Sequence, residues 1–297
     1  MVKFELQDRD LLLLQLLSRC GAIKPDQAKI VYGTEKYHLK RIEKLVKEEV
    51  LRRDKGYILP TLKGLQLAGM DCKPLHMEKY RYKEHAQGVD LVSMLSKWNW
   101  TPTYSRELKQ ENMLQRQSRA VMTIQRGTKK YAVYMIADNP EAATIARLRT
   151  DLDELPGPNK EAKINMALIF CTSSKILETI TNAFEKPPER LKSLCILPYP
   201  QGVRYFMYQR SRNLKDLLDE RFPGWQECTR NFADFELGKT YITGLFQNDV
   251  VKRKALVDYV KNVQQGEGSC CVVICRPDQQ AEIQENIPGV EVITCPL

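Results

Sequence analysis

No stretch of about 18 uncharged apolar residues occurs in the 297-residue chain, which excludes a membrane-spanning helix. The leucine run at 11–14 is far too short for that role. The opening Met1-Val-Lys-Phe-Glu-Leu-Gln-Asp8 lacks the basic, apolar and small-residue order of a secretory leader, so a cytoplasmic location is expected. None of the nine cysteines forms a Cys-x-x-Cys pair, and their number is odd. A dense disulfide framework is therefore excluded and free, mostly buried thiols are expected. Histidine is scarce. His38, His76 and His85 supply no His-x-His pair, so the metal site of a relaxase or rolling-circle nickase cannot be assembled from histidine. A Gly-rich phosphate loop and Gly-x-Ser-x-Gly are both missing, and no feature asks for a cofactor.

Composition places the chain among soluble globular proteins, with 43% hydrophobic and 28% charged residues, and the length suits two domains. The net charge of +9 is unevenly spread. Residues 1–110 hold 21 Lys/Arg and 14 Asp/Glu, whereas the remaining 187 residues hold 25 and 23. A basic first third joined to a near-neutral remainder points to a polyanion as the partner of the first.

Within that basic third, Asp8–Cys20 reads as a helix. Leu13, Leu16, Leu17 and Cys20 recur on one face, Asp8 and Asp10 suit its N-terminus, and Gly21 stops it. Pro25 opens a second, short helix that buries Ala28, Val31 and Tyr32 and ends at Gly33. A third helix is expected from the N-cap Thr34 to about Glu49. Projected at about 100° per residue, it puts Leu39, Ile42, Leu45 and Val46 on a packing face. Lys36, Lys40, Lys44 and Lys47 form a stripe opposite, flanked by Tyr37 and Arg41, with Glu43, Glu48 and Glu49 mostly off it. Leu51–Leu59 then reads as two short strands around Asp54-Lys-Gly56, a tight-turn sequence, and Pro60-Thr61 begins another helix.

Helix, short helix, basic helix, hairpin, helix is the winged helix-turn-helix order. In that arrangement Lys36, Tyr37, Lys40, Arg41, Lys44 and Lys47 would face the major groove of duplex DNA. Arg52, Arg53 and Lys55 would reach phosphates from the wing. The segments Leu45–Arg53 and Tyr57-Ile-Leu-Pro-Thr-Leu-Lys-Gly64 resemble bacterial winged-helix DNA-binding proteins. The chain departs from that pattern at Glu49, where such families often have the glycine that closes the third helix.

Residues 71–112 read as a partly helical connector, with Asp90–Lys97 helical and Tyr80 and Tyr82 interleaved with Lys79, Arg81 and Lys83. The alternation suits either base stacking or an amphipathic connector. From 113 to 297 strands and helices alternate, an α/β domain. Strands are expected at Ala120–Gln125, Tyr131–Ala137, Met166–Cys171, Ser193–Leu197, Val203–Tyr208, Cys270–Cys275 and Val290–Thr294. Helices are expected at 141–154, 174–185, 213–221, 249–263 and 277–286, with Pro156-Gly-Pro158 marking a loop. The apolar run Cys270–Cys275 followed by a helix and a strand predicts a parallel pair with a crossover.

Tyr104-Ser-Arg-Glu-Leu-Lys109, Arg116-Gln-Ser-Arg-Ala120 and Tyr131-Ala-Val-Tyr134 resemble winged-helix proteins of the replication-relaxation type from Gram-positive mobile elements and plasmids. That resemblance implies a second domain related to a degenerate restriction-endonuclease-like fold. It also implies an accessory or regulatory role in replication, conjugative transfer or transcription, with a relaxase or replication protein as a partner. A homodimer is expected because one winged helix has a small footprint.

Other chemistry is thinly supported. Asp90, Glu107 and Lys109 could be arranged as a metal-dependent nuclease site, but Ser105–Arg119 lacks the strand alternation that would set the acids side by side. Cys72, His76 and His85 lack a fourth zinc ligand. His38-Leu-Lys-Arg41 matches His-x-x-Arg of tyrosine recombinases with too little chain before it. Asp138, Asp234 and Glu236 are loose carboxylates near strand ends. The expectation is a non-enzymatic, sequence-specific duplex-DNA-binding protein. A nuclease and a winged-helix protein-interaction module are the alternatives.

Overall fold

In a computed structural model of the protein, the leucine run winds into helix α1 (Asp8–Cys20), which buries Leu13, Leu14, Leu17 and Cys20 and ends at Gly21. The structure describes residues 4–33, 36–137, 139–155, 164–208 and 212–296. They cluster in two compact units, one within Met1–Ala137 and the other within Asp138–Leu155 and Ile164–Leu297. Thr34, Asp138 and Pro156–Pro158 lie outside the described residues.

In the first unit, Pro25 opens a 3₁₀ turn (Pro25–Ala28) that leads into α2 (Lys29–Tyr32). Helix α3 (Tyr37–Lys47) has Lys36 at its N-cap. The strands β1 (Leu51–Asp54) and β2 (Tyr57–Pro60) pair antiparallel, and Thr61 caps α4 (Leu62–Leu67) by accepting from Gly64 N. Ile23 bridges Ile58, tying the chain between α1 and α2 to the hairpin. The long helix α5 (Arg81–Ser96) begins well before the expected Asp90. It is followed by β3 (Thr101–Tyr104), α6 (Ser105–Gln110), β4 (Met122–Arg126) and β5 (Lys129–Ile136). β3 pairs antiparallel with β4, and β4 with β5, around a turn at Gly127. β3 has no sequence counterpart because four residues with Pro102 among them show no usable alternation.

The second unit opens with α7 (Ala142–Asp153) and continues with β6 (Met166–Cys171), α8 (Ser174–Ala183) and β7 (Ser193–Pro198). β6 and β7 are parallel, joined through α8. Helices α9 (Gly202–Tyr208) and α10 (Arg212–Arg221) follow, then β8 (Gln226–Glu227), β9 (Phe235–Leu237) and β10 (Thr240–Gly244). The chain finishes with α11 (Val250–Asn262), α12 (Gln264–Glu267), β11 (Cys270–Cys275), α13 (Gln280–Asn286) and β12 (Glu291–Thr294). β8 to β12 form one sheet in the order β12-β11-β10-β9-β8. β11 is parallel to both β10 and β12, as its apolar run and the following crossover predict. The chain is thus a mixed α/β protein. Among the described residues, no helix is long and apolar enough to cross a membrane.

One expected strand is a helix. Val203–Tyr208 is rich in β-branched and aromatic residues, yet Val203, Phe206 and Met207 recur at i, i+3 and i+4 and are all buried. Helical burial satisfies those three together, whereas alternation would expose at least one. All nine cysteines are free, and six are buried; burial pushes the Cys20 and Cys171 thiols up to about 12.

Candidate nucleic-acid interface

Helix α3 turns a different face inward from the one its apolar residues define. His38, Arg41, Ile42 and Leu45 are buried, Val46 is half-buried, and Leu39 is 38% exposed. The packed sector is therefore rotated towards Arg41 relative to the apolar arc. The cause is Asp10 on α1, whose side chain is fully buried. Arg41 Nε donates to Asp10 Oδ1 at 3.0 Å and to Oδ2 at 3.1 Å, and Arg41 Nη2 also donates to Oδ2. Tyr32 Oη donates to Asp10 Oδ1 at 2.6 Å, and Gln7 N donates to Oδ2 at 2.8 Å. Burial alone would raise the Asp10 carboxyl; the hydrogen bonds from Arg41, Tyr32 and Gln7 outweigh it and hold the group below its usual range. Arg41 is raised in turn, chiefly by its hydrogen bond to Asp10. Arg41, read from sequence as a groove-facing cation, is instead 7% exposed and serves to hold α3 against α1.

The other cations of the helix are free of that role. Lys36, Lys40, Lys44 and Lys47 are all exposed, with Tyr37 at 42%. Glu43 is exposed too, and its helical position borders the lysine arc. Residues before α1 lie along the same helix: Phe4 is 5.7 Å from Lys44 Nζ and 5.4 Å from the Arg41 guanidinium, and Tyr37 Oη donates to Gln7 Oε1 at 2.9 Å.

Glu49 stands where a glycine would close the helix, and it adopts the glycine-like conformation, with φ +59°. Glu49 N donates to Val46 O at 3.0 Å and Val50 N to Leu45 O at 2.9 Å, the paired bonds that end a helix in a Schellman turn. The helix therefore stops at Lys47 instead of running into the hairpin, at the cost of holding an L-residue at positive φ. The hairpin follows at once. Lys55 and Gly56, both at positive φ, make the two-residue turn whose twist matches the strands. Arg52, Arg53 and Lys55 are exposed around it. Beyond β2, Thr61 Oγ1 donates to Glu49 O (2.6 Å) and Val50 O (3.0 Å) and accepts from Gly64 N (2.9 Å). A Cβ on Gly64 would lie 2.1 Å from Val50 O, so a glycine at 64 is needed for α4 to close against Val50, just past α3.

The remaining candidates are placed apart or committed elsewhere. Asp90 lies on α5 and accepts from Gln27 Nε2 at 2.6 Å; Glu107 lies on α6 and accepts from Arg19 Nε at 2.5 Å and Tyr104 N at 3.0 Å. Lys109 Nζ donates to Ser118 O at 2.8 Å. The Glu-x-Lys pair is thus helical and not on adjacent strands. His85 is buried with Nδ1 2.9 Å from Cys20 O, while His76 is exposed. Among the described residues, no group of three His, Cys, Asp or Glu side chains is placed to hold a metal ion. Asp234 accepts from Lys252 Nζ (2.5 Å) and Gly244 N (2.8 Å), and Glu236 accepts from Cys228 Sγ (3.0 Å). Of the tyrosines in the connector, Tyr82 is buried and only Tyr80 is exposed. Asp54 was legible only as a turn former. Its place as the one acid among Arg52, Arg53 and Lys55 is the signal that it has another task.

Comparison with family models, curated proteins and solved structures finds no match to this chain.

Proposed function

We propose that the protein binds duplex DNA through a winged helix-turn-helix formed by residues 1–70, with α3 as the groove-facing helix and the β1–β2 hairpin as the wing. The observation that carries this reading is the sorting of cations on α3. The one basic side chain with a structural role, Arg41, is withdrawn into the Asp10 network. Lys36, Lys40, Lys44 and Lys47 stay exposed, and the following hairpin adds Arg52, Arg53 and Lys55. A helix is about the width the major groove admits, and cations on a short ribbon suit the flanking phosphates. Lysine stripes supply sequence-independent affinity by counterion release; base discrimination falls to Tyr37 and to polar groups at the start of α3. Resemblance to the replication-relaxation type makes the role accessory or regulatory, in replication, transfer or transcription of a mobile element.

The test is a fluorescence-anisotropy titration of a labelled mixed-sequence duplex against the full chain. Lys40→Ala with Lys44→Ala is expected to weaken binding at least about tenfold and to flatten the log Kd against log salt slope by about 2, with thermal stability unchanged. Affinity equal to wild type removes α3 from the interface.

A further inference from the structure

The hairpin that carries Arg52, Arg53 and Lys55 has four residues per strand; the Ile23–Ile58 bridge and the buried Ile58 and Leu59 hold its base, and the tip from Asp54 to Tyr57 extends beyond that hold. The tip carries a net positive charge that Asp54 offsets in part, with Arg52 Nη1 3.4 Å from Asp54 Oδ2. The last residue pair before the turn, Asp54 opposite Tyr57, is gripped from outside the first seventy residues. Tyr82, in the first turn of α5, is 2% exposed. Its hydroxyl donates to Asp54 Oδ2 at 3.2 Å, and its ring meets the Tyr57 ring edge-on, with centroids 5.9 Å apart at 63°. Lys79 Nζ lies 3.7 Å from Asp54 Oδ1, a second hold on the same carboxylate.

The next residues of α5 anchor in other directions. Arg81 Nε donates to Glu84 Oε2 at 3.1 Å, and Arg119 Nη2 to Glu84 Oε1 at 3.1 Å. Lys83 Nζ donates to Ala137 O at 2.9 Å, just past β5. The first turn of α5 is therefore fixed to the body of the unit on one side and holds the hairpin tip on the other.

We infer that Tyr82 is a positioning residue for DNA binding: through Asp54 and Tyr57 it fixes the angle of the β1–β2 hairpin, so that Arg52, Arg53 and Lys55 meet phosphates without first being ordered. The inference rests on the duplex-binding reading above. Binding by a wavering ribbon loses affinity to the ordering of its side chains and backbone; a held ribbon has met that cost during folding. Tyr82 itself is buried and acts through Asp54 and Tyr57.

The experiment compares full-length wild type, Tyr82→Phe, the hairpin triple Arg52→Ala/Arg53→Ala/Lys55→Ala, and the combination of the two, by anisotropy with the same labelled duplex across a salt series. Tyr82→Phe keeps the ring contact with Tyr57 and removes only the hydroxyl that reaches Asp54. It is expected to weaken binding about fivefold and to reduce the salt slope by about 1, as one hairpin–phosphate contact is lost on average. Added to the triple variant, the same substitution is expected to change nothing, because it acts through the cations already removed. A general loss of fold would weaken both backgrounds alike, so an equal effect in the two overturns the inference. Wild-type affinity for Tyr82→Phe overturns it as well. If the hairpin triple binds as wild type does, the duplex-binding role of the hairpin itself fails; if the triple weakens and Tyr82→Phe does not, only the brace fails.

Discussion

Gly64→Ala sets helix propensity directly against tertiary geometry. Gly64 lies inside α4, where alanine would be favoured by roughly 1 kcal/mol on propensity alone. The added methyl, however, would stand 2.1 Å from Val50 O and 2.9 Å from Val50 C, both backbone atoms that no rotamer change can move. Either α4 retreats or the chain at Val50 does. Retreat strains the Thr61 bonds, since Thr61 N also donates to Val50 O at 3.2 Å. Overpacking against rigid neighbours costs typically ~1–3 kcal/mol, and a loosened hydrogen bond adds about 1. The net expectation is a local destabilisation of roughly 1–3 kcal/mol after the propensity gain is deducted. Hydrogen exchange on the full chain, read on peptides covering residues 45–66, measures this without assuming that both units unfold together. Exchange there should accelerate roughly 5- to 150-fold, at about 1.4 kcal/mol per decade, with little change in the second unit. Unchanged or slower exchange would show that propensity wins and that the approach of α4 to Val50 is not required.

Three further outcomes follow from the same region. Glu49→Gly should stabilise these peptides by about 1 kcal/mol, because glycine adopts the positive φ of the helix stop without penalty; slower exchange in Glu48–Leu51 checks it. Arg41→Ala should cost about 3–5 kcal/mol by leaving the buried Asp10 carboxylate without its cation, seen as a drop in the first thermal transition, and a loss under 1 kcal/mol would refute the anchoring role. His85 gives a pH dependence. Burial first, then the nearby Arg81 charge, pushes it down from 6.5 to about 3. A folded-state value below the unfolded one means that its contribution is complete above about pH 6.5 and is lost as pH falls towards 3, up to roughly 5 kcal/mol. Wild type should therefore lose more thermal stability between pH 7 and 4 than His85→Gln, whose amide can still donate to Cys20 O; parallel curves would refute it.

Local signals carried much of the fold. The leucine spacing and Gly21 bound α1, Pro25 and Gly33 bound the short second helix, and Asp54-Lys-Gly56 specified its turn. The uninterrupted apolar run at Cys270–Cys275 was enough to predict a parallel strand with a crossover. These features depend on residues within a few positions of one another, where propensity, capping and turn chemistry act. The lysine arc of α3 was legible for the same reason, as were the exposed cations of the hairpin.

Periodicity misjudged the places where a distant residue decides. A helical projection treats arginine as an outward residue, yet Arg41 points in because Asp10, 31 positions earlier, is buried opposite it. Leu39 moves outward as the same rotation requires. Val203–Tyr208 has strand-forming residues but becomes helical because its three apolar side chains share one buried face. Glu49 reads as a broken pattern until the two hydrogen bonds that close the helix around it are seen. Sequence by itself determined which segments can be helix, strand or turn, and where the positive charge lies. Tertiary structure alone decided which charges stay in water and what holds the hairpin, because burial and long-range hydrogen bonds are set by partners tens of residues away, invisible to any local window.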